Sequence, residues 1–249
     1  MIDLSNKVTI ITGGSRGIGE ACVRMFSKAN SKVAFTYKKS KAHSDKLEND
    51  LGKNVKGFRV DMESEKEIFE MVDKTAAEFG RIDILVHNAG IWNDGTLEKM
   101  TLDHWNELIR INLTSTFLLC KAVTPYMKKN NFGRIILITS TAGQRGEAFH
   151  SHYAASKGGM ISFTKSLAVE LAPYNITVNS VAPGWVDTEM NDEVFADKDY
   201  QESIRKSIPV GRIATAEDIA GPTLFLASDL ARHINGEILN VNGGSVLCG

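Results

Sequence analysis

The chain has 249 residues, 43% hydrophobic and 24% charged, with 29 basic against 30 acidic side chains and a formal charge of −1. That composition excludes bulk disorder and lacks the basic excess of a nucleic-acid binder. No apolar run approaches the roughly 20 residues that span a bilayer, and residues 1–6 carry neither the charged nor the apolar stretch of an export signal, so a cytoplasmic protein is expected. In chain order, residues 8–11 read as a strand and 18–29 as a helix, followed by strands over 33–36 and 55–60. A helix over 65–79, a strand over 82–86 and a long helical pattern over 102–127 come next. A strand over 135–138, a helix over 152–171, a strand over 176–181 and a closing edge strand over 238–241 complete the series. The strand runs are β-branched and almost continuously apolar, which suits a parallel sheet buried on both faces. This alternation predicts a single α/β domain over residues 1–249: a Rossmann-like, doubly wound parallel sheet flanked by helices on both faces. Residues of about 185–211, charged and without a strand pattern, read as a flap over the site. Cys22, Cys120 and Cys248 are too widely spaced for a metal cluster and read as reduced thiols; no metal site is expected.

Between the first strand and the first helix stands Thr12-Gly13-Gly14-Ser15-Arg16-Gly17-Ile18-Gly19. Glycines there permit a tight turn and let backbone amides approach a pyrophosphate at the helix N-terminus. A glycine-rich turn without a ligand and the related loop of methyltransferases are the alternatives. The order of strand, loop and helix is the context that a dinucleotide requires.

The spacing Thr-Gly-x-x-x-Gly-x-Gly resembles the classical short-chain dehydrogenases/reductases, and further motifs follow in that family's order over essentially the whole chain. Asp61 ends the third strand, where the family binds the adenine amino group. His87-Asn88-Ala89-Gly90 follows the fourth, with His87 departing from the family's Asn-Asn-Ala-Gly. Asn112 lies in the following helix, Ser140 just past the fifth apolar run, Tyr153 and Lys157 on the next helix, and Pro183-Gly184 leads to Thr188. The resemblance implies cofactor contacts from Gly13, Ser15, Arg16, Gly17, Ile18 and Gly19 of the loop and from Tyr37 and Lys38 after the second strand. It adds Asp61, Met62, Asn88, Ala89, Gly90, Tyr153, Lys157, Pro183, Gly184, Val186 and Thr188.

An acid at the end of the second strand would hydrogen-bond the ribose hydroxyls of NAD and repel a 2′-phosphate. The sequence there reads Phe35-Thr36-Tyr37-Lys38-Lys39, and Arg16 adds a third cation. NADP(H) is therefore expected over NAD(H).

Tyr153 and Lys157 are four residues apart and share a helix face. A neighbouring ammonium would lower the phenol pKa from about 10 and fit it for proton transfer. Ser140 would hold the substrate oxygen. By the resemblance, Asn112 holds a water that links Lys157 to solvent. In the reductive direction hydride reaches a carbonyl carbon while Tyr153 protonates the oxygen.

Within the family the chain is most similar to 3-oxoacyl-[acyl-carrier-protein] reductases, which implies a 3-oxoacyl thioester substrate, an acyl carrier protein as partner and a homotetramer packed through long helices. That branch docks its acidic carrier through arginines; the corresponding places here read Asn130-Asn131 and Tyr174, beside Lys128 and Lys129. Trp92, Gln144, Phe149 and Trp185 stand just past strand ends and are pocket candidates, Gln144 and Trp185 with Ser140 and Tyr153 for the substrate. An alcohol, sugar or polyol dehydrogenase is the alternative within the class. A non-catalytic NADPH-binding sensor is the alternative outside it, and such a sensor has no need of Ser140, Tyr153 and Lys157.

Overall fold

Strands that are apolar on both faces need cover on both sides, and the fold supplies it. The computed structural model describes residues 2–247; the Cys248 thiol lies outside the described residues. Its strands are β1 (Val8–Ile11), β2 (Lys32–Tyr37), β3 (Val55–Arg59), β4 (Ile84–His87), β5 (Gly133–Ile138), β6 (Ile176–Pro183) and β7 (Ile238–Val241). All pair in parallel in the order β3-β2-β1-β4-β5-β6-β7. Every residue of β1, β4, β5 and β6 is buried.

Successive side chains on a strand point to opposite faces, so each central strand feeds two cores. Ile11, Phe35, Val86, Ile138 and Val181 face one, covered by α1 (Gly17–Lys28), α2 (Lys41–Leu51) and α10 (Ala216–Ala227). Ile10, Leu85, Ile135, Leu137 and Val178 face the other, under α3 (Glu65–Phe79), α5 (Ser115–Asn130) and α7 (Ser151–Leu171). The chain crosses from β3 to β4 over the sheet, so the order reverses between β1 and β4. Ligands of open parallel sheets bind at such a switch point, beyond the carboxyl ends of the strands.

The long helical pattern over 102–127 is not one helix. α4 (Leu102–Ile109) leads through a π turn, Arg110–Thr114, into α5. At this turn Ser115 Oγ donates to Ile111 O at 2.6 Å and Thr116 Oγ1 to Asn112 O at 2.7 Å, bonds that Ser and Thr make to the carbonyl four residues back. Asn112 therefore stands on this wider turn rather than in a regular helix. The stretch of 185–211 contains α8 (Asp192–Ala196) and α9 (Lys198–Ser207), whose Phe195, Ile204 and Ile208 close a small core with Trp185 and Ile213. α6 (Thr141–Arg145), which follows β5, packs against α7, and α7 in turn packs on β6.

At the opposite end of the sheet the buried Asp83 carboxylate accepts the Val8 amide at 2.9 Å and the Arg81 guanidinium at 2.6 and 2.8 Å, tying the entry to β4 against β1. Asp83→Ala leaves that buried amide without a partner and is expected to lower unfolding stability by about 3 kcal/mol, read by urea denaturation.

Candidate active site

The glycine loop is stitched to its neighbouring strand. Gly13 N donates to Thr36 Oγ1 at 3.1 Å and Gly14 N to Thr36 O at 2.8 Å. Gly13 and Gly17 adopt φ of +64° and +53°, the left-handed region that favours glycine. Gly19 lies behind the loop rather than on its open side: a Cβ there would stand 2.0 Å from Gly13 O. This close return brings the start of α1 up to a groove of about 470 Å³.

Gly13, Ser15, Arg16, Gly17 and Ile18 line that groove from the loop, and Tyr37 and Lys38 from the end of β2. Asp61 and Met62 border it beyond β3, Asn88, Ala89 and Gly90 beyond β4, and Thr188 from the far side. Lys38 Nζ sits 2.8 Å from Asp61 Oδ2 and 3.8 Å from Glu63, and the Asp61 hydrogen bond holds the ammonium above its usual pKa. Arg16 is exposed at the N-terminal cap of α1.

The groove runs into a smaller cleft through shared walls at Ile18, Asn88, Gly90 and Thr188. Ser140, Tyr153, Lys157, Pro183, Gly184, Trp185 and Val186 line this cleft. Ser140 caps α6, its Oγ accepting Ala142 N at 3.1 Å. A hydrogen bond with Ser140 favours ionisation of Tyr153, but burial outweighs it and Glu147 adds to burial, so the phenol is pushed up to about 12. The sequence reading set Lys157 against the phenol as the group that lowers this pKa; the structure differs. Lys157 Nζ lies 5.8 Å from the centre of the Tyr153 ring and donates instead to Ile138 O at 2.8 Å. Burial drives the amine down to about 8. Tyr153 thus keeps its proton at neutral pH.

Asn112, fully buried, brackets the Ile91 backbone: Oδ1 accepts Ile91 N and Nδ2 donates to Ile91 O, both at 2.9 Å. Its Nδ2 also lies 3.3 Å from Ser156 Oγ, on the helix that carries Tyr153 and Lys157. Trp92 stacks on His150 at 4.4 Å and meets Trp185 edge-on at 6.4 Å, walling the cleft mouth. Gln144 does not join the cleft; its Nε2 donates to Asn240 Oδ1 at 2.7 Å. Phe149 is exposed and also stays outside it.

Comparison with known proteins places this geometry. The family model described as Enoyl-(Acyl carrier protein) reductase matches residues 13–245. The 3-oxoacyl-[acyl-carrier-protein] reductase FabG of Escherichia coli (strain K12) is 42% identical over 243 residues, covering 98% of each chain. The enzyme of the same name from Aquifex aeolicus (strain VF5) is 38% identical over 246 residues, again covering 98% of each. The crystal structure of gox2181 superposes with a TM-score of 0.94 at 32% identity, covering 98% of this chain and 97% of that one. The chain belongs to the short-chain dehydrogenase/reductase family. It is an oxidoreductase of C=O and CH–OH groups that uses a nicotinamide cofactor.

The residues present fit such a dinucleotide. The groove crosses the switch point, and the loop packs tightly on β2 and on the start of α1 because Gly14 and Gly19 lack Cβ atoms, which leaves the groove open in front of the N-terminus of α1. In this short-chain dehydrogenase/reductase the structure also puts Thr36, Lys39, Ser40 and Val60 on the groove, all flanking strand ends where the sequence reading named their neighbours. Glu107 of α4 and Ile111 of the π turn line it too, without a sequence signal. Arg145 and Glu147 on the cleft were likewise unannounced. Among the described residues no group of three or more His, Cys, Asp or Glu is placed to hold a metal ion.

Lys157 reaches Ile138 because α6 and α7 nearly touch at Gly143, where a Cβ would stand 2.6 Å from the Lys157 carbonyl carbon. Gly143→Ala is expected to push α7 outward, lowering stability by about 1–3 kcal/mol and turnover roughly tenfold, read by thermal unfolding and by coenzyme absorbance.

Proposed function

We propose that this enzyme reduces the carbonyl of a 3-oxoacyl thioester at the expense of NADPH. The observation that carries the reading is the convergence of Ser140, Tyr153 and Lys157 on one cleft that opens into the dinucleotide groove. The 3-oxoacyl-[acyl-carrier-protein] reductases named above, similar along nearly the whole chain, support the substrate class.

The bound nicotinamide supplies a hydride. The Ser140 hydroxyl orients the substrate oxygen and stabilises its developing charge. Tyr153, protonated because of its burial, gives its proton to that oxygen. Lys157 keeps a positive charge close to the reacting groups below a pH of about 8 and is neutral above it. Arg16, Lys38 and Lys39 on the groove favour a 2′-phosphate, with no acid at the end of β2 to repel it. Asp61, already paired with Lys38, is available to the adenine end.

Dehydrogenation of an alcohol, sugar or polyol is the second reading. Glu147 and Arg145 on the cleft favour it, since both can hydrogen-bond hydroxyls of a polar substrate. Lys128, stacked on Tyr174 at 4.1 Å, and Lys129 offer positive charge to an acidic carrier. Exposed Leu102, Phe117 and Val169 lie on α4, α5 and α7, the helices through which a homotetramer would pack. Among the described residues no helix is long and apolar enough to cross a membrane, and Cys22 and Cys120 are buried free thiols, in keeping with a cytoplasmic setting.

With acetoacetyl-coenzyme A, NADPH absorbance should fall rapidly and NADH absorbance slowly; no thioester turnover beside rapid turnover of a polyol would replace the first reading by the second. Tyr153→Phe should abolish turnover while NADPH still binds. Replacing Arg16 and Lys38 together by alanine should weaken NADPH binding roughly tenfold or more and leave NADH binding nearly unchanged, measured by fluorescence titration. The reductive kcat/KM should stay level up to a pH of about 8 and decline above it as Lys157 of the free enzyme loses its proton, a limb that the pH profile of kcat/KM reads directly.

A further inference from the structure

His87 stands where the family motif has its first asparagine, and the mechanism above does not use it. The ring is fully buried at the end of β4. Its Nδ1 lies 2.8 Å from Thr12 Oγ1 and its Nε2 3.3 Å from Ser115 Oγ. Proton counting fixes the direction of each bond. Thr12 Oγ1 already accepts Asn88 N and Ala89 N, both at 3.0 Å, which takes up its two lone pairs. Its one hydroxyl proton must therefore go to His87 Nδ1. The ring then carries its hydrogen on Nε2 and donates to Ser115 Oγ, whose own proton goes to Ile111 O at 2.6 Å. A protonated ring would set an N–H against the Thr12 hydroxyl proton.

We propose that His87, held as the neutral Nε2–H tautomer, is a positioning residue that ties the nucleotide loop at Thr12 to the π turn that carries Asn112. Through Thr12 it braces the Asn88–Ala89 amides on the cofactor side. Through Ser115 it braces the turn from which Asn112 grips Ile91 and Ser156. The groups facing the ring are Thr12 after β1, Ser115 and the Asn112 backbone, and the charge that reaches it is Lys157 on α7. Burial and then Lys157 push the imidazole down to about 3, against a weaker pull from the Asn112 backbone.

The test combines nitrogen NMR with two substitutions. In the full-length protein labelled with carbon-13 and nitrogen-15, sequential backbone assignment carried into the side chain identifies the His87 ring nitrogens. The ring should show an unprotonated Nδ1 and a protonated Nε2, unchanged between pH 5 and pH 9. An Nδ1–H tautomer, or titration in that range, overturns the proposal even if no variant folds. Asparagine can still accept from Thr12 through Oδ1 but cannot reach Ser115. His87→Asn should therefore keep NADPH affinity within about twofold and lose about fivefold in kcat, whereas His87→Leu should lose about fivefold in both. A folded His87→Leu variant that matches the parent in both overturns the proposal. Neither the nitrogen shifts nor the NADPH titration depends on the carbonyl substrate, so a wrong substrate assignment leaves those outcomes readable.

Discussion

A buried amine at the carboxyl edge of the sheet organises this protein. Lys157 is almost wholly enclosed, and placing a cation there costs several kcal/mol unless protein dipoles replace water. The Ile138 carbonyl does so from the last residue of β5, which is still in register with Val181 of β6. For the amine to reach that oxygen α7 must cross close to β5, and it can because Gly143 presents no side chain to the Lys157 backbone. The same approach sets Tyr153, one turn earlier, beside Ser140 at the cap of α6. The geometry of the candidate site is in this sense a consequence of satisfying one buried amine.

The electrostatics of the two halves differ for a reason rooted in exposure. In and beside the groove, charges are solvated and paired: Lys38 with Asp61 on its wall, and Glu63 next to it with Lys38 and Arg110. Such pairs are weak and exchangeable, which suits a surface that must surrender its partners to a ligand. In the cleft, burial dominates and drives both groups toward neutrality, the phenol upward and the amine downward. The polar groups that flank them are spent on one another, so little reorganisation is left for the moment of proton transfer.

Much of this was legible in the sequence where one residue type dictates one conformation. β1, α3 and β7 fall where the apolar periodicity put them, because buried strands and a capped amphipathic helix leave local pattern and tertiary demand in agreement. The loop glycines, Ser140, Tyr153 and Lys157 were readable from spacing and family order. The π turn was not, since the apolar pattern runs on through it and the side chains of Ser115 and Thr116 make the same bonds to carbonyls four residues back that threonines make in the regular helices. α2 was missed because it buries little beyond Ser44 and Leu47. Gln144 was misplaced for a related reason: proximity to a strand end says where a residue stands, but its amide turned to Asn240.

The π turn shows why such departures matter. A regular helix over residues 102–127 would continue its apolar stripe into the core and keep Asn112 in step with it. Widening by one residue instead turns the Asn112 amide onto Ile91, just past the end of β4, and leaves Glu107 and Ile111 on the groove. Leu108 and Leu119 on either side stay fully buried, so the core tolerates the extra residue. The Ser115 amide reaches Arg110 O five residues back, and the hydroxyls of Ser115 and Thr116 add bonds to Ile111 O and Asn112 O. A local irregularity that the packing can absorb thus becomes the means by which one helix serves the cofactor groove, the catalytic helix and the core together.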